Sequence, residues 1–312
     1  GPDEVLAAAE KSLVSIGTES HCLRGIFEPG SNWADWVVYP FRPGYSMAGR
    51  VAAVGRNVTA LKEGDRVAAW VTHQQLFKAA AADLHPIPAA VSDEEATWAI
   101  LACTTQLGIR RAKLELGERV GVIGLGILGQ LVVQYLALSG ARQIVAIDPV
   151  QSRLELAARH GATHTLAVEA ARARPEVEKI TNGYMLDVVY DITGHPAVLP
   201  PAILLLRKLG RLILLGDTPT PSQQHLGPGV VSNSIAIMGI HGTMMPAQAS
   251  EFNPWTAREM AALFFDYLVQ LRMRVEDLVT HRYSPLDAPE VYARLQQERA
   301  GVLGVIFDWS LL

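Results

Sequence analysis

Cysteine is scarce in this sequence: its 312 residues include two, Cys22 and Cys103. Two cysteines cannot build the crosslinked framework of a disulfide-stabilised secreted domain. They also cannot supply a structural zinc lobe with four cysteine ligands. Such low cysteine usage is typical of the reducing cytoplasm, so we expect a cytoplasmic protein.

Neither sign of charge is in large excess. The chain has 27 lysines and arginines against 31 aspartates and glutamates, a net charge of −4. Because a nucleic-acid-binding surface needs a basic excess, we expect no nucleic acid partner. Hydrophobic residues make up 49% and charged residues 19%, which excludes disorder, collagen and a coiled coil and indicates about two globular domains.

One uncharged run, residues 120–141, is long enough to span a membrane. However, Gly124, Gly126 and Gly129 interrupt it, and the amides Gln130 and Gln134 lie inside it. A strand, a turn and a helix account for the glycines, whereas a membrane span does not. We therefore expect no membrane association.

The first third of the chain has short strand-like segments separated by prolines and glycines. After Gly117, apolar runs alternate with helical patterns, which predicts a parallel sheet covered by helices on both faces. The six runs are 120–123, 143–147, 163–167, 187–192, 211–215 and 234–240. The predicted fold class is α/β, with a Rossmann doubly wound sheet of strand order 3-2-1-4-5-6.

Two helix starts have the spacing of a capping box. Ser92 is followed by Glu95, and Thr256 is followed by Glu259. These pairs predict one helix from Asp93 onward and another over 257–273.

Six residues that follow the first of these runs have the spacing G-x-G-x-x-G and open a predicted helix. Gly124 permits a tight turn, Gly126 lets the backbone approach a pyrophosphate, and Gly129 lets the helix pack close to the strand. The N–H groups of the helix start attract phosphate. The alternative is a glycine-rich turn without a ligand. We predict cofactor contacts from Gly124, Leu125, Gly126, Ile127, Leu128 and Gly129.

The second run is followed by Asp148. A carboxylate there accepts hydrogen bonds from the adenosine ribose hydroxyls and repels a 2′-phosphate, which favours NAD over NADP. Arg153 leaves an alternative open, because a guanidinium can contact a 2′-phosphate. It can also pack beside the adenine or cap the next helix.

Several segments share a pattern that extends over nearly the whole chain. The segment Ile-Gly-Thr-Glu-Ser-His from Ile16 is similar to G-x-C-G-T-D-x-H, and Pro-Gly-Tyr-Ser-Met-Ala-Gly from Pro43 is similar to P-G-H-E-x-x-G. The segment from Asp148 is similar to an NAD-type strand and helix, and residues 278–289 are similar to a C-terminal return. In these segments the chain resembles the medium-chain dehydrogenase/reductase family, the alcohol dehydrogenase superfamily.

The resemblance implies two domains. Residues 1–103 and 246–312 would form a mostly-β GroES-like catalytic domain, and residues 104–245 the Rossmann NAD-binding domain. It also implies a homodimer through the strand at 234–240. Family members usually begin with a strand ahead of the first residue here, and we expect that strand to be either missing or trimmed.

The chain departs from the family where zinc binds. Ile16 stands in place of a cysteine ligand, and Tyr45-Ser46 in place of His-Glu. Isoleucine cannot bind zinc and tyrosine or serine rarely does, while a catalytic zinc needs three protein ligands. Cys22, Cys103 and the histidines do not fall at matching positions. We expect no zinc, as in a less-studied branch that includes bi-domain oxidoreductases and hydroxyethyl-bacteriochlorophyllide dehydrogenases.

Without a metal, a protein group must move the hydroxyl proton of the substrate. The catalytic candidates are Tyr45, His73, Thr18, Glu19 and His21. Tyr45 occupies a ligand position, and His73 is predicted on the loop after the strand that ends at Trp70, where it would border the substrate cleft. Thr18 and His21 match the proton relay implied by the resemblance, and Glu19 matches a carboxylate beside the metal. Each could instead be structural: a buried phenol, a solvated histidine, a vestigial relay or a partner of an N–H group.

Further contacts follow from the same comparison of positions. Ser46, Trp33 and Trp70 are candidates for substrate binding, although such tryptophans often only pack. Beyond the fingerprint, the predicted cofactor contacts are Asp148, Arg153, Thr193, Gly216, Ile240 and His241.

The leading hypothesis is a zinc-independent, NAD-dependent oxidoreductase that interconverts a secondary alcohol and a ketone on a small or medium polar, sugar-like molecule. One alternative is an NADPH-dependent quinone or enone reductase, against which Asp148 argues. Another is a catalytically silent nucleotide-binding protein.

Overall fold

The computed structural model describes residues 1–298 and 300–312, and these fall into two units. The first unit comprises Gly1–Gly25, Tyr39–Cys103 and Met245–Leu312. The second comprises Ile26–Val38 and Thr104–Met244. The division differs from the predicted domains in segment 26–38, which was assigned to the catalytic domain and instead groups with the second unit.

The second unit contains a parallel six-stranded sheet. Its strands are β6 (Arg119–Ile123), β7 (Gln143–Ile147), β8 (His164–Leu166), β9 (Leu186–Asp191), β10 (Leu206–Leu214) and β11 (Ala236–Gly239). They lie in the order β8-β7-β6-β9-β10-β11, which is the predicted 3-2-1-4-5-6 order. The prediction of a doubly wound sheet is therefore confirmed.

Helices cover this sheet because strands buried on both faces need apolar partners on each side. They are α5 (Ile127–Leu138), α6 (Gln151–Arg159), α7 (Arg174–Ile180) and α8 (Leu199–Leu204). The unit also contains the short α2 (Asn32–Trp36) in segment 26–38. A core of Val, Ile, Leu and Ala side chains fills the space between sheet and helices, among them Ile147, Val189 and Leu212.

The uncharged run at 120–141 forms β6, a turn and α5. None of the helices in the described part of the chain is long and apolar enough to cross a membrane.

The first unit contains a seven-stranded, mostly antiparallel sheet. Its strands are β1 (Glu4–Val14), β2 (Met47–Val54), β3 (Arg66–Ala69), β4 (Leu76–Ala80), β5 (His85–Pro86), β12 (Val279–Tyr283) and β13 (Gly304–Asp308). The order is β12-β13-β1-β2-β3-β5, and β4 pairs with β1 outside this path. Strand β1 is central because it pairs with β2, β4 and β13.

The helices of the first unit begin where the capping residues predict. Ser92 and Glu95 form a complete capping box at α3 (Asp93–Ala96), and Thr256 caps α9 (Ala257–Val269). The predicted helix from Asp93 is interrupted after α3 and resumes as α4 (Ala99–Arg111). Helix α9 ends before the predicted residue 273, since Leu271 has a left-handed backbone with φ 55°. The remaining helices are α1 (Ile16–Arg24) and α10 (Ala288–Gln297).

The turn between β6 and α5 explains the spacing of its glycines. Gly124 has φ 89°, which favours glycine. A Cβ on Gly129 would lie 2.1 Å from the carbonyl oxygen of Gly124, whereas a Cβ on Gly126 would meet nothing within 4 Å. Gly129 is therefore required for packing, and Gly126 leaves open space above the turn.

This contrast gives a matched pair of variants. Gly129→Ala should destabilise the protein by about 1–3 kcal/mol, because the new methyl group meets backbone that cannot move aside. Gly126→Ala should leave the urea unfolding midpoint unchanged. Equal midpoints for the two variants would contradict the packing role of Gly129.

Candidate functional site

Tyr45 occupies a polar site in the first unit, just before β2. Its hydroxyl donates a hydrogen bond to Ser15 Oγ and lies 3.3 Å from Thr18 Oγ1. Burial is the main cause that raises the pKa of Tyr45 to about 12. At neutral pH the side chain is therefore an un-ionised phenol that can donate a proton.

Trp70 follows strand β3 and lies beside Tyr45, with ring centroids 5.8 Å apart. The residue is 46% exposed. An aromatic surface open to solvent next to a half-buried phenol can hold the apolar face of a molecule that reacts at that phenol.

Glu19, on α1, is the centre of a buried network. Its carboxylate accepts the backbone N–H of Ser15 at 2.7 Å, His73 Nε2 lies 3.1 Å from it, and the Tyr292 hydroxyl donates to it. Glu19 is only 2% exposed. A buried carboxylate needs such donors because it has lost its water.

His73 lies inside this network, so the alternative of a solvated loop histidine is wrong, while its catalytic role stays a prediction. Its side chain is 8% exposed, and both ring nitrogens have partners. Nδ1 lies 2.8 Å from Ser12 Oγ, which also accepts from Trp309 Nε1 at 2.9 Å. Because the Glu19 carboxylate accepts, Nε2 of His73 is the donor in their contact.

The other candidates of the first unit lie on or beside α1 and β2. Thr18 and His21 are three residues apart on α1, so they share a helix face. Ser46 is 1% exposed, and its hydroxyl has no hydrogen-bond partner among the described residues. An orphan hydroxyl next to Tyr45 can accept or donate to a bound molecule.

The side chains present do not suit a catalytic zinc. Ile16 packs in an apolar cluster with residues of α10, such as Val291, and Tyr45 bonds to hydroxyl groups. Cys22 and Cys103 are both buried free thiols, and Cys103 packs against Met260. Over residues 1–298 and 300–312, no group of three or more His, Cys, Asp or Glu side chains could hold a metal ion.

Sequence reasoning missed four members of this site. They come from β1, from the residue before α1, from α10 and from the end of the chain: Ser12, Ser15, Tyr292 and Trp309. No motif marks them, since they meet the site only through folding. Tyr292 is 273 positions from Glu19.

The second unit carries the fingerprint turn. Gly126 precedes α5 without a side-chain cap, so the N-terminal N–H groups of the helix are not covered by a capping side chain. Gly124, Gly126 and Leu128 are partly exposed, while Leu125, Ile127 and Gly129 are buried. This surface has the form expected for a pyrophosphate site.

Asp148, directly after β7, is more engaged than predicted. One carboxylate oxygen accepts from Leu125 N and the other from Val150 N, each at 2.8 Å. Arg153 Nη1 is 3.8 Å from Asp148, and its backbone oxygen accepts from Gln130. Each carboxylate oxygen still has a lone pair for a ribose hydroxyl.

The remaining predicted cofactor residues lie after β9, β10 and β11. Asp191 holds the first two: its carboxylate accepts from Thr193 N and Oγ1, and its backbone oxygen accepts from Gly216 N. Ile240 N donates to Leu214, and exposed His241 contacts Thr243 Oγ1 at 2.7 Å. Parallel strands bring their carboxyl ends to one edge of the sheet, so these residues share that edge.

Trp33 packs within the second unit, whereas Trp70 belongs to the first. Trp33 belongs to the second unit, is 6% exposed and stacks on Phe27 with centroids 5.8 Å apart. Glu28 anchors this segment to the turn after β10 through Pro219 O and Ser222 N. Trp33 was predicted to bind substrate, and in the structure it is a buried residue that packs on Phe27.

Two family models match the chain. One describes an alcohol dehydrogenase GroES-like domain and matches residues 4–87, and the other describes a zinc-binding dehydrogenase and matches residues 128–258. Together they cover parts of both units.

Among curated relatives, sorbitol dehydrogenase of Bacillus subtilis is 32% identical over 65% of this chain and 67% of its own. L-threonine 3-dehydrogenase of Bacillus licheniformis is 25% identical over 88% of this chain and 86% of its own. A putative zinc-binding dehydrogenase from Sinorhizobium meliloti, solved bound to NADP, has a TM-score of 0.80 at 20% identity. That match covers 99% of this chain and 92% of the solved chain.

These matches agree with both units of the fold, the antiparallel sheet of the first and the doubly wound sheet of the second. The chain belongs to the medium-chain dehydrogenase/reductase family, the alcohol dehydrogenase superfamily, and is an NAD(P)-dependent, alcohol dehydrogenase-like oxidoreductase.

Proposed function

We propose that the chain interconverts a secondary alcohol and a ketone without zinc, and that Tyr45 moves the proton. The observation that carries this proposal is the Tyr45 hydroxyl, held by Ser15 and Thr18 at a position where the family places a zinc ligand. The misfit of zinc with the side chains present supports the same conclusion.

Bound nicotinamide would supply or accept the hydride. In the reducing direction, the Tyr45 hydroxyl gives its proton to the carbonyl oxygen of the substrate as the carbon becomes an alcohol carbon. The hydroxyls of Ser15 and Thr18 then donate hydrogen bonds to the phenolate and stabilise it until solvent returns a proton. Oxidation follows the reverse course and requires the phenolate first.

A polar, sugar-like substrate suits the surroundings of Tyr45. Exposed Trp70 offers a flat surface for the apolar face of a sugar or polyol carbon chain, and Ser46 has an unused hydroxyl. The relationship to a sorbitol dehydrogenase supports this substrate class.

NAD is the proposed cofactor. The buried carboxylate of Asp148 repels the 2′-phosphate that distinguishes NADP from NAD. Its hydrogen bonds from the backbone of Leu125 and Val150 keep it in place. An NADPH-dependent reductase would need a positive charge beside the 2′-phosphate. The nearby guanidinium of Arg153 lies 3.8 Å from Asp148, whose negative charge opposes it. A homodimer and a cytoplasmic location remain part of the proposal.

Tyr45→Phe tests the proton donor. We expect kcat to fall by about 10²–10⁴-fold, the usual contribution of a positioned acid or base, with little change in nucleotide affinity. In the unmodified protein the rate of alcohol oxidation should rise with pH toward the raised pKa of Tyr45, and the variant should lose this dependence. Tyr39→Phe, whose hydroxyl bonds to the backbone of Cys22, serves as the control. Full activity of Tyr45→Phe would refute the proposed role.

Metal content tests the absence of zinc. Mass spectrometry of protein purified from zinc-supplemented cells should find far less than one zinc per chain, and dialysis against a chelator should leave turnover unchanged. The reason is that the site offers hydroxyl groups where zinc needs thiolate or imidazole. One zinc per chain, with activity lost on its removal, would contradict the proposal.

Asp148→Asn tests the cofactor preference. Loss of the negative charge should reduce the preference for NADH over NADPH by about tenfold or more, measured as the ratio of the two dissociation constants. Exposed Asp217 in the same unit provides the control Asp217→Asn. A protein that already prefers NADPH by more than tenfold would favour the quinone or enone reductase alternative.

A further inference from the structure

The hydrogen bonds around Glu19 connect parts of the first unit that are distant in sequence. Glu19 belongs to α1, His73 to the loop after β3, and Tyr292 to α10. Glu19 bonds to Ser15, the hydrogen-bond partner of Tyr45, and His73 packs against Gly44, the residue before Tyr45. The Tyr292 hydroxyl bonds to Glu19. The network therefore joins α10 to the proposed proton donor.

We propose that Tyr292 is a positioning residue for the reaction, which acts through Glu19 to hold Ser15 and the loop of Tyr45 in place. This inference rests on the proposed role of Tyr45. Tyr292 itself does not touch Tyr45, and its effect passes along two arms.

The first arm runs through Ser15. This serine directly precedes α1, where a serine side chain normally caps the helix, yet its hydroxyl makes no cap bond. It accepts the hydrogen bond of Tyr45 instead, and its backbone N–H donates to Glu19. Glu19 thus fixes the residue that orients the phenol.

The second arm runs through His73. Its backbone N–H donates to Pro43 O at 2.9 Å, and its ring lies so close to Gly44 that a Cβ there would come 2.5 Å from ring carbon Cδ2. Gly44 has φ 93°, so the backbone at this point is set by packing against the imidazole. Tyr45 is the next residue.

Both arms need Glu19 to stay in one orientation. Its carboxylate is buried, and its donors are Ser15, His73 and Tyr292. Hydrogen bonds to an ionised group are strong, and the loss of one leaves the charge less well compensated. The Tyr292 ring also packs against Phe307, as does that of His73, which keeps the phenol at this point.

The opposite end of the network is anchored by Trp309. Its indole donates to Ser12, which contacts His73 Nδ1. The connection thus extends over Trp309, Ser12, His73, Glu19 and Tyr292. It ties the Glu19 and Tyr45 segments together, the two segments in which family members carry zinc ligands.

The test is a double-mutant cycle. Tyr292→Phe removes only the hydroxyl, and we expect kcat to fall about tenfold with unchanged KM for the nucleotide. In the Tyr45→Phe background the same change should have little further effect, since Tyr292 acts through Tyr45. Tyr283→Phe, whose hydroxyl contacts Arg294, is the matched control and should keep full activity.

A second readout does not depend on turnover. The protein is labelled with 13C at Cζ of its tyrosines and studied by NMR. The resonance that disappears in Tyr45→Phe is assigned to Tyr45. Tyr292→Phe should shift this resonance, and Tyr283→Phe should not. If Tyr292→Phe fails to fold, Trp309→Phe at the opposite end of the network is expected to produce the same shift and the same coupling.

The outcomes separate the two proposals. Full activity of Tyr45→Phe would remove the proposed function, and the resonance of Tyr45 would still report whether Tyr292 positions it. An unmoved Tyr45 resonance, or losses from Tyr292→Phe that are equal with and without the Tyr45 hydroxyl, would overturn the positioning role.

Discussion

The first unit depends on one electrostatic requirement: the buried negative charge of Glu19 must be compensated by hydrogen-bond donors. Donors come from Ser15, His73 and Tyr292. Because each donor belongs to a different part of the chain, satisfying the charge also fixes where those parts lie relative to one another. The proposed acid Tyr45 takes its position from two of them.

In the proposed mechanism, a phenol performs the task that a zinc ion performs in metal-dependent alcohol oxidation. Zinc stabilises an alkoxide by its charge. The half-buried phenol of Tyr45 would instead supply a proton directly, and the neighbouring hydroxyls would stabilise the charge left on it. In the proposed mechanism, the raised pKa keeps Tyr45 protonated at neutral pH, which is the form that can give a proton to a carbonyl oxygen.

The second unit follows from its sequence more directly. The strand order, the turn of Gly124 and the packing of Gly129 against it were all predictable, since they depend on neighbours in the chain and on the fixed handedness of parallel crossovers. The prediction was less complete for Asp148, whose carboxylate is already bonded to Leu125 and Val150. Asp191, which holds both Thr193 and Gly216, has no local motif and was missed.

The sequence alone determined the fold class, the glycine turn, the helix caps at Ser92 and Thr256, and the replacement of zinc ligands by Ile16 and Tyr45. These features are local, because each depends on residue type and short spacing. Only the tertiary structure decided that His73 is buried, that Trp33 and Trp70 lie in different units, and that Tyr292 bonds to Glu19. Hydrogen bonds between residues hundreds of positions apart depend on how strands and helices pack, and no spacing in the chain records that packing.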